Sequence, residues 1–310
     1  MPILRFLPEA TNINFVGARY YAFAIDGLLV LLSILSIAFH GFNLGIDFTG
    51  GVLLEVKSPH VIDIGQMRAQ VGALGFGESQ LQYFGGGECD KPADSCVLVR
   101  VQPKQSGQAA AVLIKDKLGT GYNYRRTEEV GPKVSQELFR AGVWATILAV
   151  IAIAAWVAVR FEWQYGIGAV VATGHDVFVT AGLYSVFHME FTLTSVAALL
   201  TLAGYSINDT VVVFDRIREN RRKYKRIGLG ELINMSTNQM LVRTILTSAA
   251  TAVSIIPLLL FGGPTLFDFT AAILFGIVVG TFSSTYVAAA LLLYLPTIGG
   301  SKEEPAAATP

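Results

Sequence analysis

Six long apolar runs constrain this chain more than any other feature: Tyr20–Phe39, Ala141–Val159, Trp163–Phe187, Phe191–Phe214, Met240–Phe261 and Leu266–Leu295. A helix needs about 20 mostly apolar residues to cross the hydrocarbon of a bilayer. Inside lipid, only helices and closed barrels satisfy their own backbone polar groups. The chain therefore reads as a membrane protein built on an all-α six-helix transmembrane bundle. Charge supports this, because only 15% of its 310 residues are Asp, Glu, Lys or Arg. The residues after the first run, HGFNLGIDF, offer no small-x-small cleavage pattern, so that run is read as an anchor that stays.

The formal net charge is zero, so orientation has to come from where the charges lie. The connection over residues 215–238 holds Arg216, Arg218, Arg221, Arg222, Lys223, Lys225 and Arg226. The turns near His188 and at FGGPTLFD hold no Lys or Arg. Because basic short loops stay in the cytoplasm, both termini are expected there. Residues 1–19 form an interfacial lead-in, 20–40 the first span, 141–295 the other five spans, and 296–310 a disordered tail. The basic connection borders a span, so topology and anionic membrane lipid explain it better than nucleic acid does.

Residues 41–140 then face the periplasm as an inserted domain. GGVLLEVKS, SQLQYFG, CVLVRVQ and YNYRRTEEV read as strands. VIDIGQMRAQVGALG and QSGQAAAVLIKDKLG read as helices that stop at Gly. The order β-α-β-β-α-β is the α+β ferredoxin-like pattern. Cys89 and Cys96 are the only cysteines, and both fall in this block. Their spacing, with no histidine nearby, does not suit zinc. A disulfide stapling a loop fits an oxidising compartment, and free thiols are the alternative.

Ionisable groups inside spans are costly, so the few present stand out. Asp26 lies early in the first run, where a position near the cytoplasmic interface would leave it solvated. Asp268 lies at the outer edge of the last run. Asp209 sits among valines and leucines, preceded by Gly204, a poor helix former, and by the polar Asn208. Arg243 enters the next run from the same side, so the two are expected at similar depth. Paired, the acid stays charged; separated, it takes up a proton. A static pair locking two helices is the other reading. His175 and Asp176, in GHDVF, are a second polar insertion, serving either as a proton relay or as a hydrogen-bonded helix contact. Gly276, Gly280 and Ser284 form a small-residue row for close helix packing. No Walker, HExxH or GxSxG pattern occurs, so no ATPase, metalloprotease or serine hydrolase chemistry is expected, and no metal or cofactor is called for.

Several separated stretches also occur in a recognisable order: NLGIDFTGGVLLEV (Asn43–Val56), VGPKVSQEL (Val130–Leu138), GHDVFVTAG in the third run, GYSINDTVVVFDRIREN at the fourth, and FGGP at Phe261–Pro264. Over nearly its whole length the chain resembles the SecF branch of the SecD/SecF family. The resemblance implies a six-span half, related to RND transporters, that pairs with SecD in the bacterial inner membrane. It implies partnership with the SecYEG channel and with unfolded preprotein, whose late translocation the proton-motive force assists. By motif, it assigns proton coupling to Asp209 and Arg243, and places a further matching aspartate on SecD. Two other readings remain: a scaffold tethering SecD to the channel, and an RND-type half-transporter for small molecules. The single compact outer domain disfavours the latter.

Overall fold

The computed structural model describes residues 11–76, 79–84, 89, 95–103 and 107–296. The tail beyond residue 296, expected to be disordered, and most of the lead-in over residues 1–19 lie outside the described residues. Six helices are long and apolar enough to span a membrane. They are α1 (Arg19–His40), α5 (Pro132–Arg160), α6 (Trp163–Val186), α7 (Leu193–Lys223), α8 (Leu229–Phe261) and α9 (Pro264–Phe282). The last continues as a π-helical segment (Ser283–Ala288) and a final turn, α10 (Ala289–Leu291). Helices α6, α7 and the α9 segment bury 50%, 44% and 44% of their most apolar window, against 11–17% for α1, α5 and α8. The first three therefore form the centre of the bundle and the others its flanks.

Between α1 and α5 lie β1 (Asn43–Leu44), α2 (Ile46–Thr49), β2 (Gly51–Lys57), α3 (Ile64–Gly72), β3 (Ser79–Tyr83), β4 (Cys96–Val101), α4 (Gly107–Leu118) and β5 (Asn123–Val130). Strands β2 to β5 form one antiparallel sheet in the order β3-β4-β2-β5, with both crossovers made by helices, as in a ferredoxin-like fold. Alternation decides which face is covered. Val52, Leu54 and Val56 of β2 and Val97, Val99 and Val101 of β4 are buried in one core with Met67, Val71, Ala110 and Ile114 of α3 and α4. Asp63 caps α3, accepting from the Gly65 and Gln66 amides at 2.7 and 3.1 Å. Cys89 and Cys96 are joined by a disulfide with Cα atoms 5.5 Å apart.

Two features couple this domain to the bundle. Strand β5 runs straight into α5 through Gly131, with Pro132 in the first helical turn. In addition, β1 pairs in parallel with β6 (Glu190–Phe191), which lies between α6 and α7. The chain enters β2 through Gly50 and Gly51 at φ +70° and +124°. A Cβ on Gly51 would stand 2.4 Å from the Val101 carbonyl oxygen, so glycine is required there.

Two local expectations are corrected. Residues 215–238 are not a loop: α7 continues to Lys223 and α8 begins at Leu229. Lys and Arg are good helix formers, and Asn220 donates across the corner to Ser236 Oγ and Gln239 Oε1 at 2.9 and 2.8 Å. Asp26 is 5% exposed, facing the bundle interior rather than solvent.

Candidate functional site

Two apolar plugs divide the bundle along its length. Near one end, Tyr165, Phe214, Ile217, Leu232, Ile233 and Leu292 pack together. Near the other, Tyr184, Ala198, Ala272, Ile273 and Ile277 do so, with Phe42 and Phe191 against them. Between the plugs the central helices turn polar. Buried there are Thr173, Asp176 and Thr180 of α6, Ser206, Asp209 and Thr210 of α7, Thr244 and Ser248 of α8, and Ser283, Ser284 and Thr285 of the π-helical segment. Polar groups at membrane depth are rare and are a functional-site signal by default.

Asp176 is fully buried. Its Oδ2 accepts from Ser206 Oγ at 2.5 Å and Ser283 Oγ at 2.9 Å, and its Oδ1 lies 3.0 Å from His175 Nδ1. The other face of the imidazole meets α1, where Nε2 is 3.8 Å from Asp26 Oδ2. The expected small-residue row explains how α9 comes so close. A Cβ on Gly280 would lie 3.3 Å from Asp176 Oδ2, and one on Gly276 would fall 2.4 Å from Leu202. The wide π turn then aims Ser283 at the carboxylate, and π-bulges often mark functional positions.

Asp209, one turn beyond Ser206 on α7, is 4% exposed, and its Oδ2 has no hydrogen-bond partner among the described residues. Ser248 of α8 interacts with its carboxyl and belongs to a hydroxyl chain. Tyr205 donates to Ser248 at 3.1 Å, and Ser248 lies 2.7 Å from Thr281 Oγ1. Arg243 acts on Asp209 across space. Within the described residues, however, no ion pair closer than 4.0 Å joins them, and Arg243 is exposed on the chain's own surface. The direct pairing read from the sequence is thus absent in this conformation. Asn208 also faces outward. No group of three His, Cys, Asp or Glu among the described residues is placed to hold a metal ion. The sequence reading missed Asp26 as a member of the polar layer, although a signal was present. On α1 the buried positions are Ala22, Asp26, Ser33 and Ser36, a small and polar stripe at helical spacing, while Leu28, Leu31, Leu32 and Leu35 point out.

Comparison with known proteins agrees with this architecture. Residues 112–297 match the family described as "Protein export membrane protein SecD/SecF, C-terminal", and residues 35–58 the "SecD/SecF GG Motif". The protein translocase subunit SecF of Cereibacter sphaeroides is 40% identical over 99% of this chain and 97% of its own length. That of Rickettsia typhi is 38% identical over 93% and 94%. The chain belongs to the SecF family. Among solved structures, SecDF of Thermus thermophilus, described as a translocon-associated membrane protein, superposes with a TM-score of 0.84 at 35% identity over 93% of this chain. A SecDF described as in a super-membrane-facing form gives 0.67 at 36% identity over 94%. The chain spans 39% of the length of either SecDF. The residues matching the GG motif include Gly50 and Gly51, whose positive φ carries the chain from α1 into the sheet.

Proposed function

We propose that this chain is one half of a proton-driven accessory machine for protein export, working with a SecD-type partner beside the SecYEG channel in the bacterial inner membrane. The observation that carries the reading is the placement of opposite charges in adjacent spans. Asp209 is sealed inside the bundle with one oxygen unpartnered among the described residues, while Arg243 is displayed on the outer face of α8. A guanidinium facing lipid costs about 2.5–3.5 kcal/mol on insertion scales, so the α8 face favours a second polar half over bare hydrocarbon. Relatives solved as SecDF, more than twice as long as this chain, fit that arrangement.

In this reading both termini lie in the cytoplasm, where the basic end of α7 faces anionic headgroups. The sheet domain stands in the periplasm and contacts unfolded preprotein. Protonation of Asp209 alternates with its attraction to Arg243 as the halves move. One charge crossing 100 mV supplies about 2.3 kcal/mol per cycle. The direct junctions β5–α5 and β1–β6 would carry the movement outward. The lower TM-score to one SecDF form at similar coverage supports a fold that rearranges.

The test is export into membrane vesicles containing the SecD-type partner, with and without a proton gradient. Asp209→Asn and Arg243→Ala are each expected to assemble normally and lose the gradient-dependent component. Full gradient-dependent export by Asp209→Asn would assign Asp209 a structural role and favour a scaffold.

A further inference from the structure

Asp209 is not the only acid sealed into this bundle. Asp26, His175 and Asp176 lie in line across the α1–α6 contact, with side-chain exposures of 7%, 12% and 0%. Asp176 is well solvated by protein: two serine hydroxyls and the imidazole satisfy it. Asp26 is not. Both of its carboxylate oxygens, and the Nε2 of His175 that faces them, are buried without a hydrogen-bond partner among the described residues.

Charge counting leaves few possibilities. With His175 neutral and both acids ionised, the group would carry two negative charges at membrane depth. A proton on His175 leaves one, and a second proton on the carboxyl side leaves none. Among the described residues no Lys or Arg is ion-paired with the group: α1 carries Arg19 and His40 only at its two ends, and the bases of α7, Arg216 to Lys223, lie in its last turns. Alpha-helix α5 carries its charges only near its ends, at Lys133, Glu137, Arg140 and Arg160, and α9 carries only Asp268. From α7 come Ser206 and, one turn on, another acid, Asp209. Among the described residues, the sole ion-pair partner of Asp26 or Asp176 within 4.0 Å is His175. Burying an isolated ionised carboxylate in low dielectric is far costlier than burying its neutral form. Among the described residues the three groups are not placed together as metal ligands.

We propose that Asp26, His175 and Asp176 form a second proton-binding site, separate from Asp209, which holds an exchangeable proton between α1 and α6. The group sits where a proton would matter mechanically. Asp26 is contributed by a flanking helix, Asp176 by the centre, and His175 bridges them. Gain of the proton lets Asp26 donate to the imidazole or accept its hydrogen bond; loss sets two like charges across the helix contact. Ser206 ties the group to the turn of α7 that bears Asp209.

The site is tested on the full chain in lipid nanodiscs, carrying carbonyl-labelled aspartate, by infrared difference spectroscopy between mildly acidic and mildly alkaline pH. Proton occupancy is read directly, so the result does not depend on export activity or on the role given to Asp209. Two interior carboxylic acid bands are expected. One is lost in Asp209→Asn. The other survives in Asp209→Asn, is lost in Asp26→Asn or Asp176→Asn, and is displaced in His175→Gln. Should Asp26→Asn not fold, Asp26→Glu keeps a carboxyl in a new position and is expected to shift the second band. A spectrum of Asp209→Asn with no remaining interior band would overturn the proposal, as would a remaining band unmoved by every change at residues 26, 175 and 176. Displacement of the band by sodium at fixed pH would also overturn it, marking the site as one for a monovalent cation.

Discussion

Gly182 leaves no room for a methyl group. A Cβ built there would stand 2.4 Å from Ser33 Cβ and 3.0 Å from Ser33 Cα, so α1 and α6 touch almost backbone to backbone. Ser36 and Ser185 complete that seam, their hydroxyls 2.8 Å apart. Without a hydrophobic drive between helices in lipid, such close approach is what holds them together. Gly182→Ala is therefore expected to destabilise the bundle by about 1–3 kcal/mol through overpacking, measured by reversible unfolding in mixed micelles; an unchanged midpoint would contradict the packing. At this scale the sequence was unevenly legible. Asp209 stood out because valines follow it and leucines precede it, whatever face it occupies. Asp26 did not, because a place near the start of an apolar run points to the membrane interface. Its burial is decided by which side of α1 it occupies, and that side is marked only by the spacing of Ala22, Asp26, Ser33 and Ser36.

Between elements, one side chain links the outer sheet to the bundle. Arg100, on the face of β4 opposite α3 and α4, reaches Glu190 of β6 at 2.7 Å and Asn43 Oδ1 of β1 at 3.1 Å. Glu190 in turn donates its amide to Asp268 Oδ2 at 2.9 Å, and Asp47 Oδ2 accepts from the Leu193 amide at 2.9 Å. Burial lifts the Glu190 carboxyl above the ordinary glutamate range, and Arg100 pulls it only part of the way back. A raised folded-state value means that Glu190's contribution is full below the ordinary glutamate range and fades as pH rises through the raised value. Arg100→Ala is expected to weaken the junction by about 2 kcal/mol and to extend that loss to higher pH. The readout is amide exchange at residues 43–45 and 190–193, and unchanged protection would contradict the junction. The strands of the sheet were readable because β-branched, apolar content in β2 and strict alternation in β5 extend over seven or eight residues. The pair β1–β6 was not, since two residues per strand carry no period and their pairing is set by what α1, α6 and α7 bring together. The helical ends of α7 and α8 were hidden for the opposite reason. Basic residues that end an apolar run do not end a helix.

As a whole molecule, the chain combines a polar layer closed by two apolar plugs with a sheet domain joined to it at two places. Under the proposed function, protonation in that layer moves the sheet domain. The most direct measurement is a spin-label distance between Gln82, exposed on β3, and Val159, 91% exposed near the far end of α5. Labels on unnatural residues leave the Cys89–Cys96 disulfide intact. The measurement is made in bilayers with the SecD-type partner, with and without a proton gradient. Two distance populations whose ratio shifts with the gradient are expected, and a single population in Asp209→Asn. A distance distribution indifferent to the gradient, in vesicles whose export still responds to it, would contradict the claim.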